Sequence, residues 1–324
     1  MAYDVEICLG DHVLERGDTL ENDMVQGRLY GKAGAPVIVI PGGISASRFI
    51  ADERPSGAQT GDNWWSELVY AGGPIDLNYY QVLGLDLAPC GANAKRHLTI
   101  TTHDQARRLS ALLTYLNIDK VHTIIGTSYG GMVALAFAAL YPDKLEKMCV
   151  LGASHRPFPM GVGVRGIQRR IIEFACECGR PEDGLKLARQ LAMTTYRSAE
   201  EFSGRFDAEP IEGNPNGFDV GNYLQACGEK YPDAMPVERF MALSQSIDLH
   251  RIDPAKITTP TLLIATNSDQ LAPPSEIKAL HRALAGPSEM VVIESIFGHD
   301  SFLKECEILG PLLANSISRV CRAA

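Results

Sequence analysis

The chain has 324 residues, of which 45 % are hydrophobic and 21 % are charged, and its formal net charge at pH 7 is −9. This length and balance are typical of a globular protein with one large domain, or one domain that carries an insertion. The acidic charge argues against a basic nucleic-acid-binding surface, so we expect no nucleic-acid partner. An anionic substrate would need a site that concentrates its own arginines.

The ends and cysteines of the sequence bear on location and metals. The first ten residues, MAYDVEICLG, lack the basic and apolar regions of a signal peptide, and no window has the roughly 18 apolar residues of a membrane span. The eight cysteines are scattered, and the one close pair, Cys176 and Cys178, has no histidine nearby. We therefore expect a cytoplasmic protein with reduced cysteines, no metal and no membrane association.

Short runs rich in valine, isoleucine and leucine are predicted to form strands. Their residues are almost continuously apolar, which is typical of strands buried on both faces of a parallel sheet. These runs cover residues 35–40, 79–86, 121–128, 145–154, 260–266 and 289–295. Helical patterns such as 103–118 separate them, so the sequence predicts an α/β protein with a mostly parallel, doubly wound sheet.

The alternation of strand and helix fails between about residues 158 and 250, where the pattern is helical and polar. We expect residues 1–157 and 251–324 to form the sheet core, and residues 158–250 to form a helical lid inserted between two strands. A second departure is a long polar loop over 46–63, and loops of that length are usually functional or mobile.

A glycine-flanked serine stands between a strand pattern and a helix pattern. The stretch Gly126-Thr127-Ser128-Tyr129-Gly130 fits the motif G-x-S-x-G. A strand that turns directly into a helix crowds the residues beside the serine, so glycines are needed there. The free N–H groups of the new helix also point at the serine. The motif predicts Ser128 as a nucleophile, with a plain glycine-rich turn as the alternative.

A serine nucleophile needs a base and an acid, which follow it in the order acid, then histidine. His299 follows the last strand pattern and precedes a helix, and Asp269 follows the preceding strand. An aspartate there would hold the imidazole in the correct tautomer. A helix cap is the alternative role for Asp269, and Asp253 and Glu294 are the alternative acids. Three other histidines follow the serine and are less suitably placed: His155, His250 and His281.

The oxyanion formed during acyl transfer needs two backbone N–H donors. The first is predicted to be the N–H of Tyr129, directly after the nucleophile. The second is predicted in the loop IPGGISA after the strand at 35–40, where Gly42 and Gly43 let the backbone approach a substrate. Gly43 is the predicted donor, an adjacent residue is the alternative donor, and a simple tight turn is the alternative role of this loop.

Several longer stretches resemble the homoserine O-acyltransferases of methionine biosynthesis, the homoserine O-acetyltransferases and O-succinyltransferases. Two sequence blocks are more specific than the serine motif: TYRS, which is followed by RF, and GHD-x-FL. The resemblance covers about residues 35–305 and is carried by 63–86, 184–206, 223–230, 246–250 and 298–303. It implies the α/β-hydrolase fold and transfer of an acyl group from acyl-CoA to the hydroxyl of L-homoserine.

The same resemblance implies a ping-pong mechanism and a set of substrate contacts. Ser128 would take the acyl group and release CoA, and His299 would then deprotonate the homoserine hydroxyl. Arg169 would bind the homoserine carboxylate, and Asp300 its ammonium group, since a zwitterion needs one cation and one anion. Tyr196 belongs to the matching lid motif. The resemblance also implies a homodimer, acyl-CoA as co-substrate and no permanently bound cofactor.

Some alternatives stay open at this point. Acetyl-CoA is the expected donor and succinyl-CoA the second choice. A succinyl group carries an extra carboxylate that would need a further cation, but the supply of arginines does not decide between the donors, because the phosphates of CoA attract arginines too. Four arginines are available for it, namely Arg48, Arg156, Arg165 and Arg170. Arg170 also competes with Arg169, whose alternative role is a solvated face of a lid helix, and the alternative role of Asp300 is the N-cap of the last helix. Serine is an alternative acceptor, and an esterase or thioesterase is an alternative enzyme. Two features depart from the family's pattern. The residue after the nucleophile is Tyr129, where methionine is usual, and the oxyanion loop is PGGIS, where a loop of the type His-Ala-Leu-Thr-Gly is usual.

Overall fold

The computed structural model describes residues 2–51 and 63–318. Most of the loop expected over 46–63 therefore lies outside the described residues, as does Cys321. No helix within these two ranges has the length and apolar character that crossing a membrane requires.

A single eight-stranded sheet runs through the molecule. Its strands are β1 (Ala2–Cys8), β2 (Met24–Gly31), β3 (Val37–Ile40), β4 (Gln81–Leu85), β5 (Val121–Thr127), β6 (Leu145–Leu151), β7 (Thr261–Thr266) and β8 (Ser288–Ile293). The order across the sheet is β1-β2-β4-β3-β5-β6-β7-β8. Strands β1 and β2 pair antiparallel, as do β2 and β4, and all the other pairs are parallel. The six predicted strands and the mostly parallel sheet are confirmed.

The first two strands were not predicted, because they lack the continuous apolar run of a strand buried on both faces. In β2, partly buried and fully buried residues largely alternate, and β1 is mostly exposed at the edge of the sheet. Two short ladders lie outside the main sheet. They pair His12–Val13 with Thr19–Leu20, and Val69–Tyr70 with Ile75–Asp76.

Helices cover the sheet and fill the segment between β6 and β7. They are α1 (Thr102–Tyr115), α2 (Tyr129–Leu140), α3 (Pro159–Glu177), α4 (Pro181–Tyr196), α5 (Ala199–Arg205), α6 (Asp219–Glu229), α7 (Val237–Leu249), α8 (Pro274–Ala283), α9 (Ser301–Lys304) and α10 (Cys306–Ser318). The start of α1 is fixed by a capping box, in which the Thr101 hydroxyl accepts the N–H of Asp104 and the Asp104 carboxylate accepts the N–H of Thr101.

Buried aliphatic side chains occupy both faces of the sheet. Along β3, Val37 and Val39 belong to one core, which α1, α2 and α8 cover. Ile38 and Ile40 belong to the other core, which α10 and Trp65 cover. This two-sided burial explains why the central strands read as unbroken apolar runs.

The five helices α3–α7 lie between β6 and β7 in the chain, within the segment predicted as a lid. They have a small core of their own, which includes Ile172, Leu185, Tyr231 and Phe240, and Ile44 from the sheet side packs against it. The role of residues 158–250 as a lid stays a prediction.

Candidate active site

Ser128 occupies a strained turn between β5 and α2. Its backbone has φ 52° and ψ −121°, a combination that a side-chain-bearing residue rarely adopts and that pushes the hydroxyl out of the turn. The flanking glycines allow this close packing. A Cβ on Gly130 would collide with the carbonyl of Pro41, and a Cβ on Gly126 would collide with the carbonyl of Gly130.

Three side chains from the ends of β5, β7 and β8 form one hydrogen-bonded chain. Ser128 Oγ lies 2.7 Å from His299 Nε2, and His299 Nδ1 lies 2.7 Å from Asp269 Oδ2. The other oxygen of Asp269 accepts the N–H groups of Leu271 at 2.8 Å and Ala272 at 2.9 Å. Asp269 thus fixes the imidazole while its own orientation is fixed by the backbone. The catalytic roles of these residues stay predictions, but the structure brings all three together.

The environment sets opposite charges on the acid and the base. Burial alone would raise the pKa of Asp269, but the charge and hydrogen bond of His299 and the two backbone N–H groups outweigh burial and lower it. Burial alone would lower the pKa of His299, but the charge and hydrogen bond of Asp269 outweigh burial and raise it. The site therefore favours an ionised carboxylate and stabilises an imidazolium.

The alternative acids and histidines have other partners. Asp253 accepts the N–H of Ala255 and caps a short 3-10 turn, and the Glu294 carboxylate accepts a hydrogen bond from the Asn267 amide. The other histidines each contact a hydroxyl elsewhere: His250 contacts Thr102, His281 contacts Ser288 and His155 contacts Ser154. Within the described ranges, only His299 contacts the Ser128 hydroxyl.

The two predicted oxyanion donors flank the serine. Tyr129 is the first residue of α2, so its N–H is one of the donors that a helix start leaves free. A Cβ built on Gly43 would lie 3.8 Å from the Cβ of Ser128, so the loop after β3 reaches the nucleophile. The Tyr129 side chain is buried against α7, where its hydroxyl lies 2.7 Å from that of Ser246.

A cavity of about 530 Å³ opens onto this serine, a volume that suits a small-molecule ligand. One side, the sheet wall, is formed by loops that follow the strands and includes Gly43, Ser128, Leu271, His299 and Asp300. The opposite side, the helical wall, is formed by α3, α4 and α7 and includes Arg165, Gln168, Arg189, Tyr196 and Ser244. Across the described ranges, no group of three or more His, Cys, Asp or Glu side chains is arranged to hold a metal ion.

Asp300 and Tyr196 both lie beside the base. Asp300 forms an ion pair with Arg197 at 3.0 Å, which ties the sheet wall to the end of α4. Burial raises the pKa of Asp300, against the charges of Arg197, His299 and Arg189. The Tyr196 ring lies 6.1 Å from the imidazole of His299, and burial raises its pKa to about 12, so it is a neutral phenol.

The predicted carboxylate anchor, Arg169, is already engaged elsewhere. Its Nη2 lies 2.7 Å from Asp248 Oδ2, its Nη1 donates to Ser244 Oγ at 2.9 Å, and it is absent from the described lining of the cavity. Arg170 is exposed on the outer surface of α3. A contact between either residue and a bound substrate finds no support in this geometry.

Sequence reasoning missed Arg189, which lies on α4 and lines the cavity. Its guanidinium stacks over the rings of Tyr196 at 5.3 Å and Tyr231 at 4.6 Å, and no described carboxylate forms an ion pair with it. A signal for it was present. Arg189 and Tyr196 are seven residues apart on one helix and so share a face, and Tyr196 belongs to the specific TYRS block.

Arg165 is the third arginine of interest, and it lies on the helical wall. Its Nε is 2.7 Å from Asp248 Oδ1, so Asp248 is shared between Arg165 and Arg169 and neutralises only one of them. Gln168, one turn further along α3, is buried and also lines the cavity. The other proposed cations lie elsewhere, since Arg48 pairs with Asp86 and Asp4 and Arg156 pairs with Glu276.

The strand order, the strained serine turn and the serine–histidine–aspartate chain define a protein of the α/β-hydrolase class. Comparison with known proteins agrees, because residues 35–305 match the alpha/beta hydrolase fold family. The chain is 38 % identical over 292 residues to a homoserine O-succinyltransferase of Xanthomonas campestris, which covers 89 % of this chain and 77 % of that protein. The chain belongs to the homoserine O-acyltransferase family, as its sequence blocks indicated.

Two further comparisons are with proteins whose names give other acyl donors or acceptors. A serine O-succinyltransferase of Litchfieldella anticariensis is 28 % identical over 341 residues, which cover 90 % of each chain. The crystal structure of a homoserine O-acetyltransferase from Bacillus anthracis superposes with a TM-score of 0.87 at 19 % identity, over 100 % of both chains. That structural likeness establishes the shared fold. The names of these relatives differ in acyl donor and in acceptor.

Proposed function

We propose that this protein transfers an acyl group from acyl-CoA to the hydroxyl of L-homoserine by a ping-pong mechanism through Ser128. One observation carries the proposal. The Ser128–His299–Asp269 chain opens onto a cavity that is also lined by Asp300, and the opposite wall presents Arg189, which has no carboxylate partner among the described residues. A hydrolase needs only the first feature, whereas a transferase with a zwitterionic acceptor needs both.

Acylation begins with attack of Ser128 Oγ on the thioester carbonyl while His299 Nε2 takes the hydroxyl proton. Asp269 stabilises the resulting imidazolium. The negative charge that develops on the carbonyl oxygen would be met by the N–H groups of Gly43 and Tyr129. The tetrahedral intermediate collapses with cleavage of the carbon–sulfur bond, the thiolate takes the proton from His299, and CoA leaves.

The second half-reaction repeats this chemistry with the acceptor. His299 takes the proton of the homoserine hydroxyl, whose oxygen attacks the ester carbonyl of the acyl-serine. The new tetrahedral intermediate releases Ser128 Oγ, which regains a proton from His299. The products are O-acylhomoserine and the free enzyme, so atoms and charges balance over the cycle.

The acceptor would be oriented by charge. Arg189 suits the carboxylate because a planar guanidinium can donate two parallel hydrogen bonds to it. Asp300, adjacent to the base and on the cavity lining, would share its carboxylate between Arg197 and the ammonium group. Binding at both ends would aim the side-chain hydroxyl at His299. Serine is shorter by one methylene, a difference that a pocket discriminates by about 1–3 kcal/mol, and the Litchfieldella relative keeps serine as the second candidate acceptor.

Of the two donors, the helical wall favours succinyl-CoA. Once Arg189 holds the acceptor carboxylate, Arg165 remains as a second cation on the cavity, and Gln168 beside it can donate an amide hydrogen bond. Asp248 neutralises only one of the two arginines that share it. A succinyl group carries a distal carboxylate that would use this excess charge, whereas an acetyl group would leave it unused. Acetyl-CoA is the second candidate.

Transfer to homoserine also requires that water be kept from the acyl-serine. We propose that residues 158–250 act as the lid that does this, because α3, α4 and α7 line the cavity opposite the nucleophile. Arg197 and Ser198, at the end of α4, close the lid against the loop of His299 through contacts with Asp300 and Ile296. An esterase would need a cleft that admits water.

The proposal also covers how the protein assembles, in which pathway it acts and where in the cell it is located. The outer face of α3 and α4 forms an apolar groove with exposed side chains, Ile167, Phe174 and Leu187. The groove also contains the ion pair of Arg180 and Asp183, so a second copy in two-fold symmetry could meet both its apolar and its charged groups. We propose a homodimer through this face, acting in methionine biosynthesis in the cytoplasm.

The test follows the acyl group and the thiol together. The protein is incubated with succinyl-CoA or acetyl-CoA, with and without L-homoserine, while intact mass and free thiol are measured. We expect a succinyl adduct, a single burst of thiol without homoserine and continuous release with it. Equal steady release in both conditions would identify a hydrolase.

The Ser128→Ala variant is the control for the site of attachment. It should show neither the adduct nor the burst. L-serine in place of L-homoserine tests the second acceptor under the same conditions. An adduct that persists in Ser128→Ala would disprove the proposed nucleophile.

A further inference from the structure

The tight turn that contains Gly43, the proposed oxyanion donor, is hydrogen-bonded to side chains of the helical insertion, residues 158–250. The N–H of Ala46 donates to the carbonyl of Gly43 at 3.0 Å, which closes a tight turn. The carbonyl of Ile44, inside this turn, accepts a hydrogen bond from Arg239 Nη1 at 3.1 Å. Ser45 Oγ, also inside it, lies 3.0 Å from the hydroxyl of Tyr231. Both central residues of the turn are therefore contacted by residues 158–250.

Arg239 joins three parts of the molecule. It lies on α7, and besides Ile44 its guanidinium donates to the carbonyls of Leu87 at 3.1 Å and Pro89 at 2.9 Å, in the loop after β4. Burial lowers the pKa of Arg239, and none of the ion pairs among the described residues includes it. Its remaining hydrogen bond goes to Met235 Sδ at 3.3 Å. A buried guanidinium that has no carboxylate partner is costly, and its planar fork fixes the three carbonyls relative to one another.

Tyr231 connects the turn to the proposed carboxylate anchor. Its ring packs edge-on against Phe240 at 6.2 Å in the core of the insertion, and it is only 2 % exposed. The guanidinium of Arg189 stacks over the same ring at 4.6 Å, and the hydroxyl reaches Ser45. The Tyr231 side chain therefore connects Arg189, the proposed anchor of the acceptor carboxylate, to the oxyanion turn.

We propose that Arg239 and Tyr231 are positioning residues that hold the oxyanion turn in its productive geometry. The inference rests on the proposed function, and specifically on the role of Gly43 as an N–H donor. Such donors act only when they lie within hydrogen-bond distance of the developing oxyanion. A displacement of about 1 Å at a reacting centre costs up to about 10²-fold in rate. The lid would thereby contribute to catalysis as well as to recognition.

The test uses p-nitrophenyl acetate, an activated ester that acylates serine nucleophiles without CoA or homoserine. The rate of Ser128 acylation and the fraction of protein acylated are measured by rapid quench and intact mass. We expect Arg239→Lys to slow acylation by about 30-fold, because an ammonium cannot reproduce three directed hydrogen bonds. The acylated fraction should stay that of the wild type.

The hydrogen bond of Tyr231 is tested from both of its ends. Tyr231→Phe and Ser45→Ala should each slow acylation by about fivefold, and the double variant should be no slower than either single variant because both remove one bond. The pH at which the rate rises should not move, since neither change touches His299 or Asp269. Tyr223→Phe, on α6 and outside the described cavity lining, is the matched control.

Several outcomes would overturn the inference. Variants that acylate at the wild-type rate would show that the turn needs no support. A reduced acylated fraction at an unchanged rate would show a structural role alone, and additive effects of Tyr231→Phe and Ser45→Ala would show independent roles. A wild-type protein that p-nitrophenyl acetate fails to acylate would refute the oxyanion turn itself. Failure of the proposed function is detected separately, with acyl-CoA and homoserine.

Discussion

The two walls of the cavity differ in how completely their polar groups are satisfied. On the sheet wall, Ser128, His299 and Asp269 already hydrogen-bond one another at 2.7 Å, with two backbone N–H groups completing the aspartate. On the helical wall, Arg189 has aromatic rings but no carboxylate partner among the described residues. The groups that perform chemistry are thus already hydrogen-bonded to one another, whereas the proposed anchor of the substrate carboxylate, Arg189, keeps a charge that a substrate can pair with.

The two walls also differ in the charge of their side chains. The chain is acidic overall, with a formal net charge of −9, yet the cavity concentrates three arginines, Arg165, Arg189 and Arg197. Arg197 is paired with Asp300 and Glu201, and Arg165 shares Asp248 with Arg169. The helical wall therefore attracts anions against the field of the whole molecule, which the sheet wall does not need to do.

The largest expected effect comes from disturbing the sheet wall at Asp269. Replacing it by asparagine should lower turnover by about 10⁴-fold, because the imidazole loses the partner that sets its tautomer. Asp269 holds the pKa of His299 above the ordinary value of 6.5. Since the base acts when neutral, activity falls as pH falls through this raised pKa. Without the carboxylate the pKa drops, so the residual activity should persist to lower pH. Turnover against pH measures both effects.

The matched control for this prediction is Asp253→Asn, which removes a carboxylate that accepts the N–H of Ala255 and caps a short 3-10 turn. This variant should keep the maximal turnover and the pH profile of the wild type. If Asp269→Asn kept the pH profile unchanged, Asp269 would not be the partner that raises the pKa of the base.

On the helical wall, the larger effect is expected at Arg189. Arg189→Met keeps the length of the side chain and removes the charge, so a bound carboxylate would lose its partner at a cost of about 3 kcal/mol, or about 150-fold in homoserine KM. Burst acylation of Ser128 by acyl-CoA should be unchanged, because the acceptor is absent from that step. Steady-state and single-turnover kinetics together measure the two steps separately.

Arg169→Met provides the comparison, because the first assignment from sequence placed the carboxylate there. The structure engages Arg169 with Asp248 and Ser244, so its removal should change homoserine KM by much less than the Arg189 variant does. The reverse ranking would reinstate Arg169 as the anchor.

The sheet wall could be predicted from sequence because the fold determines where its residues meet. Parallel strands end at one edge of the sheet, so side chains at the end of 121–128 and just after 260–266 and 289–295 had to lie close together. The buried strands are long apolar runs, and the glycines beside Ser128 mark a turn that few other structures need. Strands β1 and β2 escaped notice because they lie at the antiparallel side, where partial exposure replaces a continuous apolar run.

The helical wall was harder to predict, because the sequence of an inserted helix does not by itself indicate which helix face lines the cavity. Arg169, Arg170 and Arg165 stand on the same helix, and only packing decides that Arg165 lines the cavity while Asp248 occupies Arg169 and Arg170 faces outward. Arg239 shows the same limit, since its carbonyl partners come from loops distant in sequence. Arg189 was accessible to helical periodicity, as its spacing from Tyr196 shows.

A smaller effect on the helical wall should separate the two donors. Arg165→Leu removes the cation that we assign to the distal carboxylate of a succinyl group, so kcat/KM for succinyl-CoA should fall by about 20-fold relative to that for acetyl-CoA. Acylation of Ser128 by each donor, followed by intact mass, gives the ratio. Arg156→Leu, which breaks an exposed pair with Glu276, is the control. An unchanged ratio would remove Arg165 from donor selection and return acetyl-CoA to first place.

The smallest effect on turnover is expected from the outer face of the same helices. Phe174 is 69 % exposed in the groove of α3 and α4 and is not among the described residues that line the cavity. An aspartate there would place a charge in each half of a two-fold interface, so Phe174→Asp should convert a dimer to a monomer. Light scattering after size exclusion measures the mass, and Val13→Asp, which replaces another exposed apolar side chain, should leave it unchanged. Because the cavity is built within one chain, we expect the monomeric variant to keep most of its activity. A wild-type monomer at micromolar concentration would refute the proposed interface, while a large loss of activity on dissociation would show that the outer face of α3 and α4 stabilises the helical wall.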